Sequence, residues 1–319
     1  MPKIITITLN TAIDKIVEIS NFKVGEVFSI DNSHSFPAGK GVNVARAITH
    51  TKIHTIALGI VGRRNYELFQ SLSSDSLLVD LTPMDGDTRT NITIYDSINN
   101  SETHIREKGC PIGSKEIEQV IDKLHRYVES GDIVVFSGSL PNNAPIDTYF
   151  KLGTLCKELG AQVILDSSGE VMKWGLRCKP DLIKPNLQEL AEIAGKTLDS
   201  EKEIVLTAKE IADKYEIPIV VVSMGKEGVL VYEHGKQHAW RANIRLPKTD
   251  IRLHSVGSGD ALVGGICSSI LHRKEIVEMI REGVACGVAN LFTIGPGIIS
   301  QQTVDELRQK VLIYQIDIE

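Results

Sequence analysis

Short runs of β-branched and apolar residues alternate with helical patterns along most of this sequence. Within each helical pattern, apolar side chains recur at the three- and four-residue spacing of one helix face. The strand-like runs occupy residues 3–9, 54–62, 132–138, 162–168, 181–186 and 217–223. The helical patterns occupy residues 42–50, 114–129 and 200–216. This alternation predicts an α/β fold in which helices cover both faces of a mostly parallel sheet.

Two other regions alternate polar and apolar residues, with hairpin-like gaps between the runs. The runs are residues 15–20 and 27–36, then residues 88–96 and 102–107. Strands of this kind usually have one solvated face. We expect them to form a small antiparallel sheet, a β lid that projects from the body of a single domain spanning residues 1–319. Ligands of open α/β folds bind at the carboxyl ends of the strands, so we expect the functional residues there.

The composition excludes several classes of partner. The net charge is −6 and basic residues form no stripe, so nucleic acid is not an expected partner. The cysteines form no C-x-x-C pair, which indicates a reducing compartment. Residues 283–304 carry no charge, but Asn290 and the Gly295-Pro296-Gly297 turn interrupt them, so a membrane span is not expected either. Asn10 and Asp14 stand where an export signal would be apolar, so the expected location is the cytoplasm.

The stretch HSVGSGDALVGG, residues 254–265, carries the strongest chemical signal. Small residues precede Asp260 at the predicted start of a helix, where free backbone N–H groups and the helix dipole can bind an anion. An aspartate in that turn can accept a proton from a hydroxyl held beside the anion, an arrangement suited to phosphoryl transfer. A dinucleotide fingerprint fits less well because its third glycine position is Leu262, and the chain has no Walker A loop. The structural alternative, a glycine-rich helix cap with Asp260 as a capping acid, fits the stretch equally well.

A second glycine-rich stretch, PAGKGVNVARA at residues 37–47, also precedes a predicted helix. Asn43 lies in the first turn of that helix and Lys40 supplies a positive charge. A turn before a helix often has this composition. The stretch is therefore informative mainly because it occurs together with the glycine-rich stretch at residues 254–265.

Together the two stretches resemble the paired signatures of the pfkB (ribokinase-like) carbohydrate kinases. Further blocks match the branch that contains 1-phosphofructokinase and tagatose-6-phosphate kinase, in the same order and between residues 4 and about 297. These blocks are TLNTAID (8–14), TRTNITI (88–94), SGSLP (137–141), KPNLQEL (184–190) and SMGKEG (223–228). The resemblance implies a ribokinase-like fold.

The resemblance also implies roles for individual residues. On the sugar side, Asp260 would be the catalytic base, and the N–H groups of Gly257, Ser258 and Gly259 would form the anion hole. The residues implied to hold the sugar hydroxyls are Asp14, Gly39 and Asn43, and those implied to hold the phosphate of the sugar are Arg89, Ser139 and Lys40. On the nucleotide side, the residues implied to bind ATP are Lys184, Asn186, Ser223, Gly225 and Gly228. Glu189 is implied to act on Mg²⁺, which prefers water and one or two carboxylates as ligands.

The activity implied by the resemblance is ATP-dependent phosphorylation of a ketohexose phosphate. Fructose 1-phosphate is the first choice, and tagatose 6-phosphate and fructose 6-phosphate are close rivals. Two other functions stay open on the residues alone: a kinase of an unphosphorylated sugar or nucleoside, and a non-catalytic sugar-phosphate binding or regulatory protein. A homodimer formed through the lid strands is also implied.

Overall fold

The computed structural model describes residues 2–30, 32–246 and 253–318. Its strands form two sheets and its helices pack on the larger one. The strands are β1 (Ile4–Thr8), β2 (Ala12–Glu18), β3 (Ser33–Ala38), β4 (Thr55–Gly62), β5 (Leu77–Met84), β6 (Arg89–Asp96), β7 (Ser101–Arg106), β8 (Ile133–Ser137), β9 (Gln162–Asp166), β10 (Leu182–Ile183), β11 (Ile219–Ser223), β12 (Val229–Glu233), β13 (His238–Asn243) and β14 (Leu312–Asp317). The helices are α1 (Lys40–Ile48), α2 (Tyr66–Gln70), α3 (Ser114–Tyr127), α4 (Thr148–Glu158), α5 (Gly169–Gly175), α6 (Leu187–Ala194), α7 (Glu201–Tyr215), α8 (Ser258–Leu271), α9 (Ile276–Ala289) and α10 (Gln301–Arg308).

The larger sheet has, within the described residues, ten strands in the order β14-β13-β12-β11-β10-β9-β8-β1-β4-β5. Strands β11, β10, β9, β8, β1, β4 and β5 run parallel, and β12, β13 and β14 add an antiparallel edge. Separate apolar clusters lie on its two faces, one built on α3, α4 and α7 and the other on α1, α8 and α9. The predicted α/β architecture with helices on both faces is therefore confirmed.

The sequence pattern located six strands of this sheet and missed four. Each predicted run contains a parallel strand, although the run at residues 181–186 contributes only Leu182 and Ile183. Strand β5 and the three antiparallel strands β12–β14 were not predicted. Edge strands lack the continuous apolar run that identifies a buried strand. In β14, for example, the side chains of Leu312 and Tyr314 are about half exposed.

The smaller sheet has the strand order β3-β2-β6-β7 and corresponds to the predicted lid. Two of its pairings, β2 with β3 and β6 with β7, are antiparallel as predicted, but the central pair β2–β6 is parallel. The reason is that β2 and β6 both leave the body of the protein in the same direction, each as the first strand of its hairpin. The starts of two strands also differ from the prediction: β2 begins at Ala12 instead of residue 15, and β3 begins only at Ser33, since residues 27–30 lie outside any strand.

The chain reverses its direction of travel across the larger sheet between β8 and β1. Later in the chain, β4 pairs with one side of β1 and β8 pairs with the other side. In an open α/β sheet this switch point leaves a crevice outside the carboxyl ends of the strands. The starts of α1 and α8 lie at this crevice, and the lid stands over it. Among the described residues, no helix is both long enough and apolar enough to cross a membrane.

Candidate active site

Helix α8 begins at a glycine whose conformation and surroundings exclude other residues. Gly257 is the N-cap with φ 89°, and a β-carbon there would lie 2.6 Å from Cα of Pro296. The turn that contains Pro296 is itself fixed by Asn290, whose Oδ1 accepts from Gly297 N–H at 2.7 Å while its Nδ2 donates to Val256 O at 2.8 Å. Asn290 therefore holds the entry to α8 against this turn. Of the three N–H groups predicted to form the anion hole, that of Ser258 donates to Ser255 O at 3.2 Å, whereas those of Gly257 and Gly259 have no acceptor among the described residues.

Asp260 lies in that first turn, and its carboxylate is not used to cap the helix. Its Oδ2 accepts a hydrogen bond of 2.7 Å from Nδ2 of Asn43 on α1, and the helix has no side-chain cap. Among the two readings of the glycine-rich stretch, the geometry favours a carboxylate presented to a site over a capping acid.

The surroundings of Asp260 change its acidity. Burial raises the pKa of this carboxyl to about 7, and the neighbouring Asp166 carboxylate adds to the rise, whereas Lys40, Lys184 and the hydrogen bond from Asn43 oppose it. A group with a pKa near 7 can both accept and release a proton at neutral pH, which is the requirement for general acid–base catalysis.

Asp166 and two lysines form a charged cluster beside Asp260. The Nζ atoms of Lys40 and Lys184 each lie 3.3 Å from Oδ1 of Asp166, which is fully buried at the end of β9. The two ammonium groups keep the pKa of Asp166 below its ordinary value even though burial alone would raise it. Within the described residues its Oδ2 atom has no hydrogen-bond partner, so one carboxylate oxygen is left for a ligand.

The lysines differ in the part of the site that they face. A β-carbon at Gly259 would lie 3.8 Å from Nζ of Lys184, so this ammonium lies beside the first turn of α8. Lys40 was predicted to hold the phosphate of the sugar, but the structure places its ammonium on Asp166, in the same cluster. Asp166 itself was not predicted, although an acid at the carboxyl end of a buried parallel strand is the signal that would have found it.

Helix α1 also begins at a glycine, for a reason of packing. Gly39 has φ 124°, and a β-carbon there would lie 2.6 Å from Cγ2 of Thr8 on β1. This close approach carries Asn43 to the first turn of α8, where its Nδ2 reaches Asp260. The Oδ1 atom of Asn43 is buried and has no partner among the described residues, so it is available to a ligand hydroxyl.

Asp14, implied by the family resemblance to hold sugar hydroxyls, lies on the lid within β2. Its Oδ1 accepts a 2.8 Å hydrogen bond from Nδ2 of Asn91, its register partner on β6. Burial raises the pKa of Asp14, while the guanidinium groups of Arg106, Arg89 and Arg46 oppose that rise. Asn91 and Arg106 were not predicted, because the β2–β6 register that brings them to Asp14 is a tertiary feature.

Arg89 and Ser139, both predicted to hold the phosphate of the sugar, are brought together by Asn10. Arg89 donates from NH2 to Asn10 O at 3.1 Å, and Asn10 donates from Nδ2 to Ser139 Oγ at 3.1 Å. Arg89 also donates to Thr11 O and Glu107 O. A guanidinium has five N–H donors, so three bonds to carbonyl groups fix its plane and leave two donors for an anion.

On the opposite side of the crevice, Asn186 and Glu189 form a capping box at the start of α6. Glu189 N–H donates to Asn186 Oδ1 and Asn186 N–H donates to Glu189 Oε2, both at 2.8 Å. Asn186 also forms a parallel bridge with Ser223 at the end of β11. Glu189 is near enough to the cluster to raise the pKa of Lys40. The carboxylates that could hold Mg²⁺ here are Glu189, through its second oxygen, and Asp166.

The predicted glycines near the nucleotide lie in the turn between β11 and β12. Gly225 and Gly228 have φ values of 56° and 86°. A β-carbon at Gly228 would lie 2.1 Å from Ala242 O, whereas one at Gly225 would meet nothing within 4 Å. Packing therefore requires glycine at 228, while at 225 only the backbone conformation does.

Glycine amides at a helix start, a buried carboxylate and flanking lysines at the switch point of a parallel sheet form an arrangement suited to phosphoryl transfer. Residues 7–303 match the model of the pfkB family carbohydrate kinases. The chain belongs to this family, and the protein is a carbohydrate kinase that uses ATP.

Relatives match over nearly the whole chain. The 1-phosphofructokinase of Bacillus subtilis is 33% identical, covering 96% of this chain and 98% of its own length. The 1-phosphofructokinase of Vibrio cholerae is 30% identical, covering 98% of this chain and 96% of its own length. A crystal structure of phosphofructokinase-2 from Escherichia coli in complex with substrates and products superposes with a TM-score of 0.89 at 26% identity, covering 96% of this chain and 98% of that one. The predicted family and ribokinase-like fold are thus confirmed.

Proposed function

We propose that this protein phosphorylates fructose 1-phosphate with ATP to give fructose 1,6-bisphosphate and ADP. The observation that carries the proposal is Asp260: a buried carboxyl with a pKa of about 7, held by Asn43 in the first turn of α8. The names of the Bacillus and Vibrio relatives support this choice of sugar.

In the proposed reaction, the free hydroxyl oxygen of the sugar attacks the terminal phosphorus of ATP. Its proton passes to Asp260, and the bond between that phosphorus and the bridging oxygen of ADP breaks. The N–H groups of Gly257 and Gly259 and the ammonium of Lys184 stabilise the negative charge on the transferring group, since a helix N-terminus and a fixed cation do so without reorganisation. The N–H group of Ser258, the third predicted member of the anion hole, already donates to Ser255 O at 3.2 Å.

Magnesium would be held by Asp166 and Glu189, with water as the remaining ligands, and would neutralise phosphate charge when bound. The buried Oδ2 of Asp166, which lacks a partner among the described residues, supports this assignment. Lys40 then keeps Asp166 ionised and oriented. Asn186, Ser223, Gly225 and Gly228 line the nucleotide side of the same crevice in this proposal.

On the sugar side, Asp14 would accept hydrogen bonds from sugar hydroxyls, with Gly39 and Asn43 forming the facing wall. Arg89 and Ser139 would bind the phosphate already on the sugar. We expect Arg89→Ala to raise the KM for the sugar phosphate by about tenfold or more, because a charge-assisted contact is lost. Arg89→Lys keeps the charge but not the fork of donors, so it is the matched control. An unchanged KM in Arg89→Ala would remove Arg89 from the phosphate site.

Fructose 6-phosphate and tagatose 6-phosphate are the alternative substrates. The similarity to a phosphofructokinase-2 structure in complex with fructose 6-phosphate, at 26% identity and a TM-score of 0.85, favours testing the first of these. The decisive experiment is kcat/KM for these sugars, for fructose 1-phosphate and for unphosphorylated fructose. Preference for fructose 1-phosphate would support the proposal. Turnover of a 6-phosphate or of free fructose with higher kcat/KM would overturn it, and no ATP turnover with any sugar would favour a binding protein.

We also propose a homodimer joined through the lid, in a cytoplasmic enzyme. Ile98 and Ile105 on the β6–β7 hairpin are 70% and 51% exposed, and β7 is an edge strand of the lid sheet. An exposed edge carrying apolar side chains is a surface that pairing would cover. Sedimentation velocity checks the proposal: a species of twice the chain mass is expected, and Ile105→Lys should shift it to the monomer. A monomeric wild type would contradict it.

A further inference from the structure

The lid touches the body of the protein at both edges of its sheet, in two different ways. At the β3 edge the contact is fixed by the chain itself, since β3 leads directly into α1, and Arg46 on α1 donates to both Pro37 O and Pro296 O. At the opposite edge, the β6–β7 hairpin has no such continuation near its tip. Its position there depends on side chains.

Within the described residues, a side-chain hydrogen bond joins this hairpin to the entry of α8. Ser255 Oγ donates to Glu102 Oε2 at 2.5 Å, between residues 153 positions apart in the sequence. Glu102 lies on β7 opposite Tyr95, next to the pair Asp96–Ser101 that closes the hairpin. The contact is therefore made close to the tip, where it limits the movement of the hairpin most.

The body side of this contact is firmly held. His254 N–H donates to Leu291 O at 2.8 Å, and Val256 O accepts from Asn290 Nδ2 at 2.8 Å, so both neighbours of Ser255 are anchored. In addition, Ser255 O accepts from Ser258 N–H at 3.2 Å, which ties Ser255 to the first residue of α8. The lid is then the part that moves when the bond breaks.

The hairpin carries part of the candidate sugar site. Its strand β6 holds Asn91, which donates to Asp14, and begins at Arg89. Glu102 is oriented on the neighbouring strand, where His104 Nε2 lies 3.8 Å from its Oε2 and His104 Nδ1 contacts Thr93 Oγ1 at 3.1 Å. A displacement of the hairpin would move Asn91 away from a sugar held against α8.

From this geometry we infer that Glu102 and Ser255 form a latch, defined as the hydrogen bond between these two side chains, that holds the lid over the sugar site. They are positioning residues, because neither contacts the reacting atoms. A hydrogen bond to a carboxylate is among the stronger ones in proteins. The inference rests on the proposed function for its effect on catalysis but not for its effect on the lid.

The first test needs no substrate. Amide hydrogen exchange in residues 96–106 is expected to be about five- to tenfold faster in Ser255→Ala and in Glu102→Ala than in the wild type, because a lost charged hydrogen bond changes an opening equilibrium by about that factor. Ser255→Thr keeps the hydroxyl and should retain the wild-type rate. Unchanged exchange in both alanine variants would overturn the latch, whether or not the protein phosphorylates a sugar.

The second test uses steady-state kinetics with fructose 1-phosphate and ATP. Each alanine variant is expected to raise the KM for the sugar phosphate by about five- to tenfold, with kcat and the KM for ATP changed by less than about twofold. The double variant should be no worse than either single one, since both remove the same bond. Ser97→Ala, which removes the 2.9 Å bond between Ser97 Oγ and Ser20 Oγ within the lid, is the matched control and should keep the wild-type KM.

The two tests separate the possible failures. A wild type that turns over none of the sugar phosphates, while exchange responds as expected, refutes the proposed function and keeps the latch. An active wild type whose KM is unchanged in both alanine variants, or rises additively in the double variant, refutes the latch as a positioning device and leaves the proposed function standing.

Discussion

Helices α1 and α8 begin with similar sequences, GKGVN and GSGDA, yet Gly259 of α8 serves a different purpose from the glycines of α1. In α1, added β-carbons at Gly39 and Gly41 would lie 2.6 Å and 2.5 Å from side-chain atoms of Thr8. These glycines let the helix approach β1. In α8, a β-carbon at Gly259 would meet nothing nearer than Nζ of Lys184 at 3.8 Å. This glycine leaves space beside a cation, where an anion can approach the backbone.

A glycine-rich helix start is therefore not by itself evidence for an anion site. One start is a packing device that delivers Asn43 to the Asp260 carboxylate, and the other presents Asp260 and the N–H group of Gly259 to the crevice. The two are joined by the 2.7 Å hydrogen bond between Asn43 and Asp260. Substitutions at matched positions of the two helices can test whether their glycines differ in this way.

The largest effect is expected for Asp260→Asn. The amide has nearly the same shape but cannot accept the proton, so kcat should fall by roughly 100-fold or more while ATP still binds. Turnover with fructose 1-phosphate and calorimetric titration with nucleotide measure the two properties. Near-normal turnover would show that α8 supplies only an anion site, and it would remove Asp260 from catalysis.

The next largest effect is expected for Asn43→Ala. Loss of the hydrogen bond to Asp260 removes one interaction that lowers the pKa of this carboxyl, so the acidic limb of the kcat/KM profile should move to higher pH. The fall in kcat at pH 7 should be about tenfold, the usual worth of a hydrogen bond to a charged group.

Asn91→Ala is the matched control for that substitution, because Asn91 donates at 2.8 Å to the other buried acid, Asp14. It should raise the KM for the sugar phosphate and leave the acidic limb in place. An unshifted limb in Asn43→Ala, or a shift of equal size in Asn91→Ala, would contradict the special role of the α1–α8 contact.

The variants Gly41→Ala and Gly259→Ala compare a glycine that packing requires with a glycine that leaves space for a ligand. At Gly41 the new methyl group would lie 2.8 Å from Ile7 O as well as against Thr8, so overpacking should cost about 1–3 kcal/mol of unfolding free energy. At Gly259 the cost should stay within about 0.5 kcal/mol, since surface substitutions of this kind are nearly neutral, while activity falls. Urea unfolding and kcat distinguish the two. Equal losses of stability would contradict the assignment of purposes.

A further effect concerns stability and pH. A carboxyl whose folded pKa is raised to about 7 binds its proton more tightly in the folded state, so its contribution to stability is complete below the ordinary pKa and is lost as pH rises through about 7. The difference in unfolding free energy between Asp260→Asn and the wild type should therefore grow in favour of the variant between pH 5 and pH 8. A difference independent of pH would show that Asp260 titrates normally.

The parallel strands of the larger sheet and the helices that cover it could be predicted from the sequence alone. Buried strands and amphipathic helices leave periodic patterns of apolar residues that can be recognised without knowledge of the tertiary structure. The sequence also identified the family through glycines and acids at fixed spacings, and so led to the prediction that Asp260, Asn43 and Asp14 are site residues.

The tertiary structure was needed to show which side chains lie in contact with one another at this site. Asp166 and Lys184 come from strands separated by a helix, and Asn91 reaches Asp14 through a parallel pairing of two hairpins that the alternation pattern could not specify. The physical reason is that register and crossover geometry depend on packing between distant segments. A pattern along the chain fixes the face on which a side chain lies, but it does not fix its neighbour across the sheet or across a cleft.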